Sequence, residues 1–253
     1  MGTGQPFRPR RKTKTRSTEE RPSFLYLGHS TVLCTLPTGE VILIDPWVGQ
    51  NPACPQELHD LERVDAMLIT HSHFDHVGDA VELAQKHQPK VVVACFEVCS
   101  WLASKGVENC SGMNLGGSQD VLGCRVSMVR ADHSSGLQDG DQMLYGGVAA
   151  GYMVRLPSGY TFYHAGDTAV FSDMELFSEL YRPELAFLPI GDLFTMDPAQ
   201  ASLACRLLAV RSVIPIHWGT FPALAGTPEQ LEALLIDSGT NTAVVALKPG
   251  DTY

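Results

Sequence analysis

The feature that most constrains this chain is a run of polar residues at positions 70–76, Thr-His-Ser-His-Phe-Asp-His. Three histidines and one aspartate fall within six positions, directly after the mostly apolar segment 64–69. That segment has the length and composition of a buried strand, and the apolar spacing of 77–87 predicts a helix. We therefore expect the cluster to lie on a turn at the C-terminal end of a strand, a common place for ligand sites in α/β proteins.

These residue types favour a metal centre over an ordinary polar turn. Imidazole and carboxylate groups bind zinc, and carboxylates also suit manganese. A regular strand would send His73 and His76 to opposite faces, whereas a turn can direct the four side chains inward together. Four ligands are too many for one ion that keeps an open position, so the spacing predicts two ions. The alternative, a polar surface turn beside a buried strand, would need many hydrogen-bond partners.

The pattern resembles the His-x-His-x-Asp-His hallmark of the metallo-β-lactamase superfamily. Three later segments, 124–131, 160–163 and 212–216, have the composition of strands and run into further ligand-type residues. The resemblance implies one ion held by His71, His73 and His133, a second ion held by Asp75, His76 and His217, and Asp167 bridging both. It also implies a four-layer αββα sandwich, an α/β fold with two mixed sheets between helices. Periodicity alone predicts only one α/β domain.

Several short sequence motifs indicate which branch of the superfamily this chain resembles. Gly28-His29-Ser30, the segment 163–168 (Tyr-His-Ala-Gly-Asp-Thr) and the segment 188–192 (Leu-Pro-Ile-Gly-Asp) resemble bacterial metal-dependent hydrolases similar to ascorbate-6-phosphate lactonase. That implies a hydrolase in which a hydroxide bridging two divalent ions attacks the substrate. Zinc is the expected metal, with Mn²⁺, Fe²⁺ and Ni²⁺ as alternatives. The residues predicted to be catalytic are Asp75, Asp167, His29 and His164. The alternative for the last two is that they are structural histidines.

The expected substrate is a small molecule: an ester, a lactone or a phosphate ester. One alternative is a metal-dependent phosphodiesterase acting on lipid-like or nucleotide substrates. The predicted pocket loops contain few Arg or Lys residues, which weakens this alternative for substrates with several phosphates. Another is a non-catalytic metal-dependent sensor or binding protein, which is weakened because all seven ligand positions carry suitable residues. We also expect Asp45 to hydrogen-bond to the ligand turn and Trp47 to form a wall of the pocket.

The charge of the chain limits the partners that it can bind, and its length limits the number of domains that it can form. The 253 residues are enough for one large domain, and we predict a basic, disordered tail at 1–22 and a single metallo-hydrolase domain at 23–253. Six basic residues lie in the first sixteen positions, and the remainder carries 12 basic and 28 acidic residues. A body this acidic repels phosphate backbones, which argues against nucleic acid as a partner.

The expected location is cytoplasmic. No apolar run approaches the roughly 18 residues that a membrane span needs, and the basic start is not followed by the apolar region of a secretory signal. The seven cysteines are odd in number and contain no Cys-x-x-Cys pair, which is typical of reduced thiols. The oligomeric state stays open, and a homo-oligomer is compatible with the sequence.

Overall fold

The computed structural model describes residues 21–253 and contains two mixed β-sheets with helices packed on their outer faces. Positions 1–20 of the predicted tail lie outside the described residues. Arg21 already packs on the body, with its guanidinium 5.5 Å from the ring centre of Tyr160. Within the described part of the chain, no helix is long and apolar enough to cross a membrane.

The described residues contain fifteen strands. They are β1 (Ser23–Gly28), β2 (Thr31–Thr35), β3 (Val41–Ile44), β4 (Ala66–Leu68), β5 (Val91–Cys95), β6 (Cys110–Met113), β7 (Ser118–Val121), β8 (Cys124–Arg130), β9 (Gly136–Asp139), β10 (Gln142–Tyr145), β11 (Ala150–Arg155), β12 (Thr161–His164), β13 (Leu185–Pro189), β14 (Ser212–Ile216) and β15 (Ala243–Val244). The helices are α1 (Phe74–Val77), α2 (Ala80–His87), α3 (Phe96–Ser104), α4 (Met174–Tyr181), α5 (Pro198–Leu208) and α6 (Pro228–Asp237).

The first sheet contains β1 to β6 in chain order, antiparallel as far as β3 and parallel from there to β6. The second sheet has the order β15-β14-β13-β12-β11-β8-β7 and is parallel from β12 to β15. β9 and β10 form a separate hairpin. Because β11 is antiparallel to both β8 and β12, those two strands point the same way. The C-terminal ends of β8, β12 and β14 therefore lie at one edge of the second sheet.

The two sheets face each other across an apolar core. Phe24 of the first sheet meets Phe162 and Phe187 of the second edge-on, at ring-centre distances of 4.9 and 5.1 Å. Successive strand residues point to opposite faces. Tyr163, next to Phe162, accordingly packs in a second apolar cluster that includes α4, α5 and α6.

α2 and α3 add Leu83, Val98 and Leu102 to the cluster that contains the first sheet. The predicted four-layer α/β sandwich is confirmed.

Several predicted element boundaries are wrong. The helix predicted at 77–87 is two helices, α1 and α2, separated at Gly78 and Asp79, and it begins earlier at Phe74. The composition of 109–120 predicts a loop, yet this segment contains β6 and most of β7. The glycine-rich sequence of 134–147 also predicts a loop, yet it contains the β9–β10 hairpin. The mostly apolar run at 242–247 predicts a closing strand of six residues, but the strand in the structure is only Ala243–Val244. These strands have two to four residues, of which at most one is buried, so their hydrophobic pattern is too short to predict a strand.

Candidate metal centre

The structure brings the seven predicted ligands together at one edge of the sandwich. His71 and His73 follow β4, Asp75 and His76 lie in the first turn of α1, and the remaining three follow strands of the second sheet. Those three are His133 after β8, Asp167 after β12 and His217 after β14. The prediction of a simple turn at 70–76 is therefore corrected in part, because α1 displays the last two residues of the cluster.

Three nitrogens converge in the first group of side chains. His73 Nδ1 lies 2.9 Å from His71 Nε2 and 3.2 Å from His133 Nε2. The proton of His71 points away from this group. His71 Nδ1 lies 3.1 Å from Thr70 Oγ1, which itself donates to Asp45 and therefore accepts from the ring. His73 Nε2 lies 3.3 Å from Ser134 Oγ. A neutral imidazole carries one N–H, so His71 Nε2 presents its lone pair to His73 Nδ1.

A second group combines His29 with Asp75, His76 and His217, whose ligand atoms all lie within 4.8 Å of one another. Asp75 Oδ2 is 2.9 Å from His29 Nε2, 3.6 Å from His217 Nε2 and 3.9 Å from His76 Nε2. All four side chains are largely or fully buried. The other nitrogen of His29, Nδ1, lies 3.0 Å from Thr220 Oγ1.

Asp167 occupies the space between the two groups. Its Oδ2 is 3.0 Å from His217 Nε2 and 3.3 Å from His76 Nε2, on the side of the second group. It is 3.6 Å from His133 Nε2 and 3.9 Å from His71 Nε2, on the side of the first. The residue is 2% exposed, so its carboxylate has almost no solvent to interact with. One carboxylate oxygen is thus shared by four imidazoles.

Asp45 supports the ligand turn from beneath. Its carboxylate accepts hydrogen bonds from the Thr70 N–H and hydroxyl, each at 2.8 Å, and from His76 Nδ1, also at 2.8 Å. A histidine that donates one ring N–H to a carboxylate presents its other nitrogen as a lone pair, which is the usual arrangement behind a metal ligand. The expected contact between Asp45 and the ligand turn is present.

Three residues of the centre have left-handed backbone conformations, which side chains other than Gly rarely adopt. They are His29, Asp45 and His217, with φ of 57°, 51° and 53°. Each directly follows a strand, so the left-handed residue changes the direction of the chain at the end of that strand. Such positions cost of order 1–3 kcal/mol each and cluster at functional sites.

The donor set fits metal ions. His76 Nε2 and Asp167 Oδ1 are buried at the centre without a hydrogen-bond partner, although His76 Nε2 approaches Asp167 Oδ2 to 3.3 Å. Buried polar atoms without a hydrogen-bond partner are costly unless a cation binds them. Imidazole nitrogen and carboxylate oxygen suit Zn²⁺, Mn²⁺, Fe²⁺ and Ni²⁺ alike.

Burial and neighbouring charges shift the pKa values of the ionisable groups at the centre in different directions. Burial raises the pKa of Asp167, but His217 and His76 outweigh it and hold that pKa well below its usual range. Burial lowers the pKa of His217, but the Asp167 charge and hydrogen bonds outweigh it and raise the value to about 9. Burial lowers the pKa of His29 to about 4. Asp167 is therefore ionised and His29 neutral at physiological pH.

His164 is placed differently from the other predicted catalytic residues. It is fully buried, its Nε2 donates to the carbonyl of Ser30 at 3.0 Å, and its Nδ1 accepts from the Gly166 N–H at 3.2 Å. Both ring nitrogens are thus used by the main chain, and the ring holds the turn that leads to Asp167. This geometry favours the structural alternative for His164.

Sequence reasoning missed two residues that shape the site. Asp79, at the N-cap position of α2, makes no side-chain capping bond and instead accepts from the backbone N–H groups of Val48 and Gly49 at 2.5 and 2.8 Å. Thr220 contacts His29 from a loop 191 residues away in sequence. Asp79 has the local signature of an ordinary helix cap, and Thr220 has no local signature at all.

The fold and the buried His/Asp cluster define a metal-dependent hydrolase of the αββα class, and comparison with known proteins agrees. Residues 40–218 match the family model described as "Beta-lactamase superfamily domain". The UPF0173 metal-dependent hydrolase of Koribacter versatilis is 52% identical over 229 residues, covering 90% of this chain and 96% of that protein. The UPF0173 metal-dependent hydrolase of Solibacter usitatus is 52% identical over 225 residues, covering 89% and 96%.

Among solved structures, Igni18, described as a novel metallo hydrolase from the archaeon Ignicoccus hospitalis, superposes with a TM-score of 0.81 at 34% identity. The match covers 92% of this chain and 97% of that one. The chain belongs to the metallo-β-lactamase superfamily, and its curated relatives are UPF0173 metal-dependent hydrolases. The predicted family and the prediction of an enzyme are confirmed.

Proposed function

We propose that this protein is a dinuclear metal-dependent hydrolase that cleaves a small ester, lactone or phosphate ester. The observation that carries the proposal is the position of Asp167 Oδ2 between two groups of imidazoles, 3.0 Å from His217 Nε2 and 3.6 Å from His133 Nε2. A carboxylate placed in this way can bind an ion on each side and hold the two at a fixed separation.

The proposed ligands are those that the family resemblance implies. His71, His73 and His133 would hold one ion, and Asp75, His76 and His217 the other, with Asp167 between them. Two divalent ions in this arrangement would lower the pKa of a bound water and polarise the carbonyl or phosphoryl group under attack. Zinc is the favoured metal, since histidine nitrogens dominate the donor set.

The chain's own residues orient and hold protons around that chemistry. Asp45 keeps the proton of His76 on Nδ1, so that His76 Nε2 faces the centre. His29 contacts Asp75 Oδ2 and thereby fixes the orientation of that carboxylate. Asp167 is ionised and its Oδ1 has no hydrogen-bond partner among the described residues, so this carboxylate would hold the two ions apart and could accept a proton from an attacking water. His164, bonded on both sides to main chain, serves as a structural support.

Three further expectations remain proposals. The similarity to ascorbate-6-phosphate lactonase favours a lactonase-like reaction. A cytoplasmic location is supported by the seven cysteines, all of which are free thiols. A small molecule is the proposed partner, and a homo-oligomer remains compatible with the exposed apolar residues of the surface.

The test is hydrolysis of lactones, carboxylic esters and phosphodiesters by metal-loaded protein, with metal content measured beside it. Asp167→Ala is the informative variant, and Asp237→Ala, an exposed aspartate at the end of α6, is the matched control. We expect two ions per chain and turnover in the parent protein and the control. In Asp167→Ala we expect fewer ions and a loss of turnover of at least 10³-fold.

The alternatives predict other outcomes. Turnover of phosphodiesters alone would favour the phosphodiesterase. Two bound ions without turnover of any compound would favour a sensor or binding protein. Equal turnover in Asp167→Ala and the parent protein would contradict the site assignment.

A further inference from the structure

Three aromatic side chains, Trp47, Phe74 and Phe221, form a cluster beside the second ligand group. The ring centres of Trp47 and Phe74 are 5.8 Å apart, and those of Trp47 and Phe221 are 6.2 Å apart. His29 connects this cluster to the metal centre. Its ring lies 5.1 Å from Trp47 and 5.9 Å from Phe221 on one side, and 4.0 Å from His217 on the other. We call these three residues the aromatic wall.

The aromatic wall is held in place before any ligand arrives. Trp47 is only 3% exposed, and Asp79 accepts backbone N–H groups from the residues that follow it, which anchors its loop. Gly78 allows the close approach of the indole, because a Cβ at this position would lie 3.0 Å from Trp47 Cδ1 and 2.4 Å from the carbonyl oxygen of Phe74. Phe221 is half-buried against Trp47.

Phe74 remains open to solvent although it lies between two predicted ligands in sequence. It is 61% exposed, so a large apolar surface faces water next to a polar centre. A preformed apolar surface continuous with a small number of polar groups is the usual composition of a small-molecule pocket. Burial of such a surface by a substrate is favourable in proportion to the apolar area covered.

The charge of the surrounding loops decides what kind of substrate fits. The loops that follow the strand ends at this edge are 28–30, 45–59, 70–79, 131–136, 165–173, 190–197 and 217–227, and their sequences contain no Lys or Arg. Arg130, at the end of β8, is paired with Asp132 at 2.7 Å and Asp173 at 3.6 Å, and it lies over the ring of Phe171. These loops therefore offer no Lys or Arg side chain to a charged group remote from the bond that is cleaved.

We propose that the aromatic wall binds the apolar part of an uncharged ester or lactone, so that the substrate carries a hydrocarbon or aromatic acyl group rather than a phosphate or carboxylate tail. This inference rests on the proposed hydrolase function and narrows its substrate class. The ester group lies at the metal centre, and the hydrocarbon extends over the half-buried ring of Phe221 and the exposed ring of Phe74, both of which pack against the buried Trp47.

The test compares 4-nitrophenyl esters of fatty acids from two to eight carbons with the zinc-loaded protein. The charged counterpart of the hexanoate ester is the 4-nitrophenyl monoester of adipic acid, which has the same number of acyl carbons and a terminal carboxylate. We expect kcat/KM to rise by up to about fourfold for each added methylene that reaches the wall. We also expect the hexanoate ester to be preferred over the adipate monoester by at least tenfold.

Variants test whether the preference for long acyl chains depends on the aromatic wall or reflects a general change in activity. Phe74→Ala and Phe221→Ala are each expected to reduce kcat/KM for the octanoate ester at least fivefold more than for the acetate ester, and Phe74→Leu is expected to restore most of the difference. Leu180→Ala is the matched control, because Leu180 is 71% exposed but lies in the last turn of α4, before β13 begins at the opposite edge.

The outcomes distinguish this inference from the function on which it rests. Turnover that is independent of chain length, or that favours the adipate monoester, would overturn the inference and leave the hydrolase function intact. A change of oligomeric state in Phe74→Ala with unchanged chain-length preference would assign Phe74 to a protein contact and overturn it too. If metal-loaded protein cleaved no ester of either kind, both the proposed carbonyl chemistry and the aromatic wall's role would be contradicted.

Discussion

His29 Nε2 lies 2.9 Å from Asp75 Oδ2, across 46 residues of sequence, and it joins the turn after β1 to the first turn of α1. On its other side, Nδ1 of the same ring lies 3.0 Å from Thr220 Oγ1. The hydroxyl can donate to Nδ1, which leaves the ring proton on Nε2 and directs it at the carboxylate. Thr220, His29 and Asp75 thus form a chain of contacts that orients one predicted metal ligand.

We predict that His29→Ala lowers the affinity for the second ion by about 10- to 100-fold, because residues that orient a ligand typically contribute this much. Thr220→Val should produce a smaller loss, and Thr220→Ser, which retains the hydroxyl, should behave as the parent protein. Competition with a chromophoric chelator measures the two ion affinities without reference to turnover. An unchanged second affinity in His29→Ala would show that Asp75 needs no such support.

His164→Ala should lower stability far more than it lowers the catalytic rate. The substitution leaves the Ser30 carbonyl and the Gly166 N–H without partners and opens a cavity beside Phe187, whose ring stacks on His164 at 5.4 Å. Comparable losses cost about 2–5 kcal/mol. Chemical denaturation and turnover of the folded fraction measure the two effects separately. Unchanged stability with a hundredfold loss of kcat would instead support the catalytic role that the sequence predicted.

The stability of the metal-free protein should fall as the pH rises from 6.5 to 9. The pKa of His217 is raised from 6.5 to about 9 despite its burial, because Asp167 favours the protonated ring. A raised pKa stabilises the fold below the unfolded value, and this contribution is lost as the pH approaches the folded value. Bound metal takes the place of the proton, so the loss should disappear in the loaded protein. Denaturation at pH 6.5, 7.5 and 9 with and without chelator checks this, and a flat metal-free profile would contradict it.

Asp79→Ala should loosen the loop that carries Trp47. The Asp79 carboxylate accepts two short backbone hydrogen bonds from Val48 and Gly49 and one from the Gln50 side chain at 3.2 Å. Their loss should cost about 1–3 kcal/mol and expose Trp47. Acrylamide quenching, measured with Trp101 and Trp218 replaced by Phe, reports on Trp47 alone. Asp141→Ala, an exposed aspartate in the β9–β10 hairpin, is the control and should change neither quantity.

The sequence predicts those parts of the centre that depend on local order. His71, His73, Asp75 and His76 follow a buried strand within six positions, and this spacing restricts where their side chains can go. His133, Asp167 and His217 could be assigned because each follows a strand-like segment, and parallel strands end at a common edge. Boundaries were less certain where the hydrophobic pattern is short, as at the β9–β10 hairpin.

Contacts between distant segments could not be predicted in this way. Asp79 has the sequence signature of a helix cap, yet its carboxylate bonds the loop after Trp47, because that loop folds back over the start of α2. His29 and His164 were equivalent candidates in sequence, and only their surroundings separate them. His29 contacts Asp75 and Thr220 at the metal centre, whereas both nitrogens of His164 are taken by backbone groups.

The sequence by itself determined the superfamily, the α/β class and the set of residues available as metal ligands, since these follow from residue type, spacing and strand ends. The tertiary structure alone decided which atoms meet: Asp167 between two histidine groups, His29 against Asp75, and the aromatic wall beside them. The physical reason is that hydrogen bonds, ring contacts and the exclusion of water act over a few ångströms in space. Packing the two sheets together brings such atoms within reach of one another, whatever their separation along the chain.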